Sequence, residues 1–297
     1  MWQFIFDTLS RTSDLALIAL GLSLVYGLAK FPNIAHVQYA MLGACLSVHL
    51  QRGGAPLAAA VLIASLAIGV LAVLLNLLVF RRLQRQGPAI AMIGSLALAM
   101  ILVATVLAAQ GASPLGYSLA LRSPWVLGGV WVAPNQALAM GVTLLVLVAC
   151  GWGLLATRQG RAMRALACNA PLAAAAGLDA ERLMHAVHFL GAALAGLGGA
   201  LLALTSGAYM GLGNDLLLPI FAAAILGGLG NPLAAVLGAL LIAVAETTVT
   251  NLNVGWLYGQ ALAFVPAGYI GAASFVILLL ALLWRPYGLF DREVRRV

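Results

Sequence analysis

The apolar run LLIAVAETTVT carries Glu246, the only acid set well inside a long apolar stretch. A charged carboxylate at the bilayer centre costs about 2.5–3.5 kcal/mol on insertion scales, so such an acid is kept where it clamps helices, lines a polar passage or meets an ion. Glu246 also lies close to the end of its run, where it can instead reach the interface. A second set, Asn33, His36 and Gln38, falls in KFPNIAHVQYAMLGA, Lys30 to Ala44, where Pro32 interrupts the helix pattern. Polar side chains beside unwound backbone can line a passage. The alternative is that Asn33 caps a helix starting near Ile34 and His36 is an interior histidine with its own partners. His185 and His188, at i and i+3, make at most half a metal site and read as chance placement. No G-x-x-x-x-G-K-[ST] loop, G-x-S-x-G elbow or H-E-x-x-H pair occurs, so ATP hydrolysis through a phosphate loop has no signature here. The glycine-rich LGGLG and GLGGA lie in apolar segments and read as helix packing.

The elements that position these residues follow from composition. Of 297 residues, 64% are hydrophobic and 8% charged, with mean hydropathy +1.07, whereas a soluble domain is about one quarter charged. The expected class is all-α: a polytopic membrane protein of about 8–9 transmembrane or broken helices. Thirty-three glycines suit helices whose backbones approach closely. A net charge of +7 points to cytoplasmic loops, not to nucleic acid, since no aromatic-interleaved basic patch is present. Cys45, Cys150 and Cys168 are too far apart to suggest a disulfide framework or a metal site. MWQFIFDTLSRTSDLALIALGL contains Asp7 and lacks a basic leader, so it reads as a first segment of the mature chain, not a cleaved signal.

A bilayer core needs about 20 apolar residues in helix. Spans are expected near 14–29, 34–50, 56–80, 89–110, 134–156, 183–204, 216–228, 231–249 and 260–284. The piece 216–228 is short for a crossing and meets its successor at GGLGNP, Gly227 to Pro232, a helix breaker resembling the break at Lys30. Such breaks at membrane depth require protein or a cavity around them. If Arg81, Arg82 and Arg85 are cytoplasmic, alternation places 12 of the 15 basic residues there and leaves only Arg11, Arg52 and Arg122 outside. The N-terminus is then external and the C-terminus cytoplasmic. Between Gly111 and Ala133, PWVLGGVWVAP reads either as a short hairpin or as interfacial anchoring by Trp125 and Trp131.

One stretch interrupts the apolar pattern: RQGRAMRALACNAPLAAAAGLD, Arg158 to Asp179. Arg158, Arg161 and Arg164 share one helix face. Asn169 and Pro171 restart a helix, Gly177 ends it, and Asp179 caps the next. The second short helix is free of charge yet outside the membrane, and its small face of Ala173 to Ala176 asks for a partner.

GRAMRALACNAPLAAAAGL resembles the coupling segment of permeases of the high-affinity branched-chain amino-acid ABC transporter family. Gly160, Arg161, Ala162, Arg164, Ala165, Asn169, Ala174, Gly177 and Leu178 match its G-R-A-x-R-A, Asn, Ala and G-[IL] positions. ALIALGLSLVYGL, NIAHVQYAMLGA, FLGAALAGLGGALLAL, AILGGLGNPLAAVLGALLIAVAE and RPYGLF resemble other stretches of the same family in the same order, over nearly the whole chain. Three positions depart from its pattern: Val37-Gln38 stands for Gly-Glu, Pro219 for a frequent Lys, and Cys168 for an acid. The resemblance implies one transmembrane permease domain over 1–297 with a cytoplasmic coupling segment at 158–178. It implies a bacterial inner-membrane, multi-pass protein that does no covalent chemistry. It further implies a second permease subunit, two cytoplasmic ATP-binding subunits, which hold the ATP so that the permease needs no cofactor, and an external solute-binding protein. The solute is then a branched-chain amino acid or a related small polar molecule, moved by alternating access. Asn33, His36, Gln38 and Glu246 are expected along the substrate pathway. Arg161, Arg164, Asn169, Ala174 and Gly177 are expected to couple to the ATPase. An ion-coupled secondary transporter is the rival class, for which Glu246 is the only embedded acid offered. A membrane-bound enzyme would rest on His185 and His188 alone.

Overall fold

A computed structural model describes residues 1–119, 123–252, 264–265 and 270–284. The first half comprises α1 (Trp2–Ala29), α2 (His36–Arg52), α3 (Leu57–Leu75), a π-helical turn (Asn76–Phe80), α4 (Arg81–Gln84) and α5 (Pro88–Gln110). A hairpin of β1 (Trp125–Leu127) and β2 (Val130–Val132) follows, then α6 (Pro134–Ala156), α7 (Arg158–Cys168) and α8 (Ala170–Ala175). The chain continues through α9 (Ala180–Ser206), α10 (Leu212–Gly227), α11 (Pro232–Asn251) and a last helix, here α12 (Ile270–Trp284). Proline opens α5, α6 and α11 in the first turn, where its missing N–H is not needed.

Among the described residues six helices are long and apolar enough to cross a membrane, so the all-α, polytopic expectation holds. The arginine-rich ends gather on one side of the bundle. Arg81 pairs with Glu181 at 2.7 Å, and Met163 of α7 packs with Leu24, Val25 and Val187 near the end of α1. The opposite side carries the hairpin, whose Trp131 N–H donates to Gln3 Oε1 at 2.9 Å, and Arg52, whose Nε donates to the Gly116 carbonyl at 2.8 Å. This arginine placement is the one expected of a cytoplasmic side.

Central in the bundle is α9, buried through most positions from Val187 to Leu204, whereas α6 buries only Ala139 and Thr143. Glycines let α9 touch its neighbours through backbone. A Cβ on Gly191 would stand 2.9 Å from the Gly21 carbonyl of α1. Gly196 and Gly199 likewise lie against Gly43 and Ala40 of α2. GLGGA is therefore a packing motif, as read.

LGGLG both packs and turns: a Cβ on Gly227 would run into the Ala234 carbonyl and Ala235 of α11, so the packing reading holds there. Gly227 ends α10, and Gly228 and Gly230 turn the chain before Asn231 caps α11. The expected short span 216–228 is corrected: α10 starts at Leu212 and keeps Pro219 inside the helix. Its 16 residues extend about 24 Å. Gly230 then lies beside Gly27 near the cytoplasmic end of α1, so this break sits at an end of the bundle and not at mid-depth. The first helix also starts earlier than expected, at Trp2, which carries Asp7 and Arg11 on helix. Between Gly111 and Ala133 the hairpin reading holds. Gly128 and Gly129 take φ of 58° and 83°, the paired positive values of a two-residue hairpin turn.

Candidate translocation cavity and coupling segment

Glu246 is 2% exposed, which corrects the expectation that it reaches the interface. Arg11 Nε donates to its Oε2 at 2.6 Å, and the buried Ser274 hydroxyl donates to Oε1. Three helices, α1, α11 and α12, are thus joined through one carboxylate. Sequence reasoning treated Arg11 as an outlier of topology. The available signal was its i, i+4 spacing from Asp7, which puts both on one face of α1.

Beside this pair lies a cavity of about 870 Å³ near the outer side. Asp7, Arg11, Asp215 and Glu246 line it with charge. Tyr209, Asn214, Thr247, Thr250 and Asn251 add hydroxyls and amides, and Leu202, Leu216, Leu218 and Pro219 form an apolar wall. The linker between α9 and α10 is tied to the outer loop by paired backbone bonds between Leu115 and Ala208, 2.7 and 2.9 Å. The Tyr209 hydroxyl in that linker donates to Asp215 Oδ2 at 2.8 Å. Burial, followed by the Asp215 carboxylate, pushes the Tyr209 phenol up to about 12, so it remains a donor at neutral pH.

Of the other expected pathway residues, Gln38 comes near the cavity. Its Nε2 donates to Asn214 Oδ1 at 2.9 Å. Asn33 and His36 do not line the cavity. The expected cap is also corrected: the Asn33 carbonyl accepts from His36 N–H at 3.1 Å, while its side chain caps nothing. Ile34 N–H instead uses the Ser95 hydroxyl of α5, 3.0 Å away. His36 is fully buried against Gly21, and neither of its ring nitrogens has a partner among the described residues. It is not the satisfied interior histidine of the alternative reading. His188 is buried and spends Nδ1 on the Met184 carbonyl at 2.9 Å. Among the described residues no three metal-ligating side chains converge.

Sequence spacing also laid out the cytoplasmic segment. Thr157 caps α7, accepting from Gly160 N–H at 3.1 Å. Asn169 caps α8 through Leu172 N–H at 3.0 Å, and Asp179 caps α9 through Arg182 N–H at 3.0 Å. Gly177 has φ of 83°, the left-handed end favoured by glycine. Arg161 and Arg164 reach back. Arg161 Nη1 donates to the Ala156 carbonyl at 2.8 Å, and Arg164 Nη1 donates to that of Leu154. These are last-turn carbonyls of α6, which have no partner within their own helix. Both guanidiniums therefore fix the segment against α6. One correction concerns Ala173, which is buried; Leu172, Ala174, Ala175 and Ala176 are exposed.

Residues 4–284 match the profile of a family described as "Branched-chain amino acid transport system / permease component". The LivH permease protein of the high-affinity branched-chain amino acid transport system of Escherichia coli (strain K12) is 26% identical, covering 99% of this chain and 97% of that one. The corresponding BraD protein of Pseudomonas aeruginosa is 27% identical over the same shares of both chains. A probable LivH permease of Methanocaldococcus jannaschii is 28% identical over 93% of this chain and 88% of its own. With the matched profile running from the first turn of α1 to the end of α12, the chain belongs to the family of permease components of branched-chain amino acid transport systems.

Proposed function

We propose that this chain is the permease subunit of an ATP-driven importer in a bacterial inner membrane, carrying branched-chain amino acids or a related small polar solute. It pairs with a second permease, two cytoplasmic ATP-binding subunits and an external solute-binding protein. The permease itself performs no covalent chemistry and holds no cofactor. It passes solute by switching between outward-open and inward-open states, which ATP-driven closure of its partners biases. The reading is carried by the cytoplasmic segment, where two capped short helices present Leu172 and Ala174 to solvent while two arginines fix them to α6. An exposed apolar surface of this kind suits a protein partner. At the other end, the cavity offers polar groups and an apolar wall to a small solute.

The test is uptake of labelled leucine in cells expressing the permease with its ATP-binding and solute-binding partners. Uptake should require the ATP-binding subunits and survive collapse of the ion gradients. Uptake that follows the gradients and ignores ATP would place the chain with ion-coupled carriers. Glu246, spent on Arg11 and Ser274, is poorly placed to serve as an ion ligand.

Within this reading, Gln38 and Glu246 lie along the pathway at the outer cavity, and the buried Asn33 and His36 are expected on it beyond the cavity, which they do not line. Gln38→Glu sets a carboxylate against Asn214 Oδ1, so the Asn214 amide must turn its NH₂ inward and the cavity wall shifts. Uptake rate or solute preference should change at equal membrane levels of permease. Identical uptake of every solute tried would reduce Gln38 to a packing residue.

A further inference from the structure

Charge at the outer cavity is lopsided. The whole chain has eight acids, and three of them, Asp7, Asp215 and Glu246, line this one cavity. Among the described residues a single base, Arg11, lines it too, so the described lining sums to one positive and three negative charges, a net −2. Arg11 and Glu246 neutralise each other at 2.6 Å. Asp7 and Asp215 have no cationic partner among the described residues. Asp7 Oδ1 accepts from the neutral Gln3 amide at 2.8 Å, and Asp215 Oδ2 accepts from the neutral Tyr209 hydroxyl at 2.8 Å. Such donors orient a carboxylate without cancelling its charge. A concave surface with one sign of charge and apolar walls concentrates counter-charged solutes.

We propose that the outer cavity selects its solute by an ammonium group, which the Asp7 and Asp215 carboxylates receive, and that it turns away solutes whose only charge is negative. The apolar wall of Leu202, Leu216 and Leu218 takes the hydrocarbon part. A carboxylate on the same solute finds one cationic partner among the lining residues, Arg11. An α-amino acid with an aliphatic side chain fits this arrangement, and its deaminated oxo acid does not. The inference deepens the transport reading above and rests on it for the identity of the cargo, but not for the charge preference of the cavity.

The experiment uses the assembled transporter in intact cells, with Cys45, Cys150 and Cys168 replaced and Thr250→Cys introduced in the cavity. Rates of modification by a cationic trimethylammonium-ethyl and an anionic sulfonato-ethyl methanethiosulfonate are compared. An outer-loop Ser113→Cys variant corrects for their intrinsic reactivities. The cationic reagent should react faster at Thr250→Cys by on the order of tenfold, the low end of electrostatic focusing. That ratio should shrink in high salt and fall towards one in Asp7→Asn/Asp215→Asn. A ratio of one or below in the unneutralised protein overturns the proposal. So does failure of either reagent to reach Thr250→Cys while Ser113→Cys is labelled. Leucine uptake separates the two readings: if it is absent, the proposed cargo is wrong and the thiol ratio still decides the cavity. If leucine is carried equally well by Asp7→Asn/Asp215→Asn, the ammonium site is wrong and the importer reading stands.

Discussion

Glu246→Ala is expected to lower the stability of the detergent-solubilised protein by about 1.5–3 kcal/mol, the usual contribution of a hydrogen bond made to a charged group. The loss arises because Arg11, whose side chain is 29% exposed beside the cavity, loses its direct partner, and Ser274 loses its acceptor. Three helices then lack the group that joins them. Arg11→Met/Glu246→Leu should recover most of the loss, since well-packed apolar residues often replace a buried pair at little cost. Thermal unfolding of the four proteins completes a double-mutant cycle. Two single variants that each melt like the parent would show that the pair contributes nothing to the fold.

Uptake is expected to collapse in Gly177→Val and in Ala174→Trp, with the permease still inserted at normal levels. The two changes act differently. Gly177 sits at φ 83° with open space where a Cβ would stand, so valine meets no neighbour and suffers only backbone strain. A left-handed conformation costs an ordinary L-residue about 1–2 kcal/mol, and a β-branched one more. The turn that returns the chain to α9 must then relax, moving α8. Ala174 is exposed, so tryptophan leaves the isolated permease intact and obstructs whatever packs there. Overpacking a fitted interface costs about 1–3 kcal/mol. ATP-binding subunits should therefore be lost on purification from both variants, with Ala174→Ser behaving as the parent. Full retention of those subunits together with full uptake in both would leave residues 158–178 as a surface loop only.

Local rules made some parts of this molecule readable. The caps at Asn169 and Asp179 and the turn at Gly177 depend on residues within four positions of one another, and sequence spacing states them directly. The hairpin was equally accessible, because Gly128-Gly129 between alternating residues leaves few other turns. The cavity was not accessible in the same way. Arg11 and Glu246 are 235 residues apart, and nothing local marks them as partners. Gln38 and Asn214 are 176 apart. Asp215 precedes an apolar run and looks like an ordinary helix-start acid, a role its place in the first turn of α10 also fills. Two of the three departures from the family pattern, Gln38 and Pro219, meet again around this cavity, Pro219 in its wall and Gln38 on Asn214. The helix expected at 216–228 starts four residues earlier, at Leu212, because the polar Asn214 and Asp215 before the apolar run also lie on helix.

The glycine contacts of α9 bear on mechanics. Where Gly191 meets Gly21, and Gly196 and Gly199 meet Gly43 and Ala40, main chain rests on main chain. Such a seam has almost no side-chain rotamers to exchange, so it can be parted but not gradually deformed. Helices α1, α2 and α9 consequently behave as a chassis. In the proposed transport cycle a stroke delivered at residues 158–178 is carried to the other end of the bundle as a tilt of this block, and the give must come from the seams packed through longer side chains, those of α5 and α12.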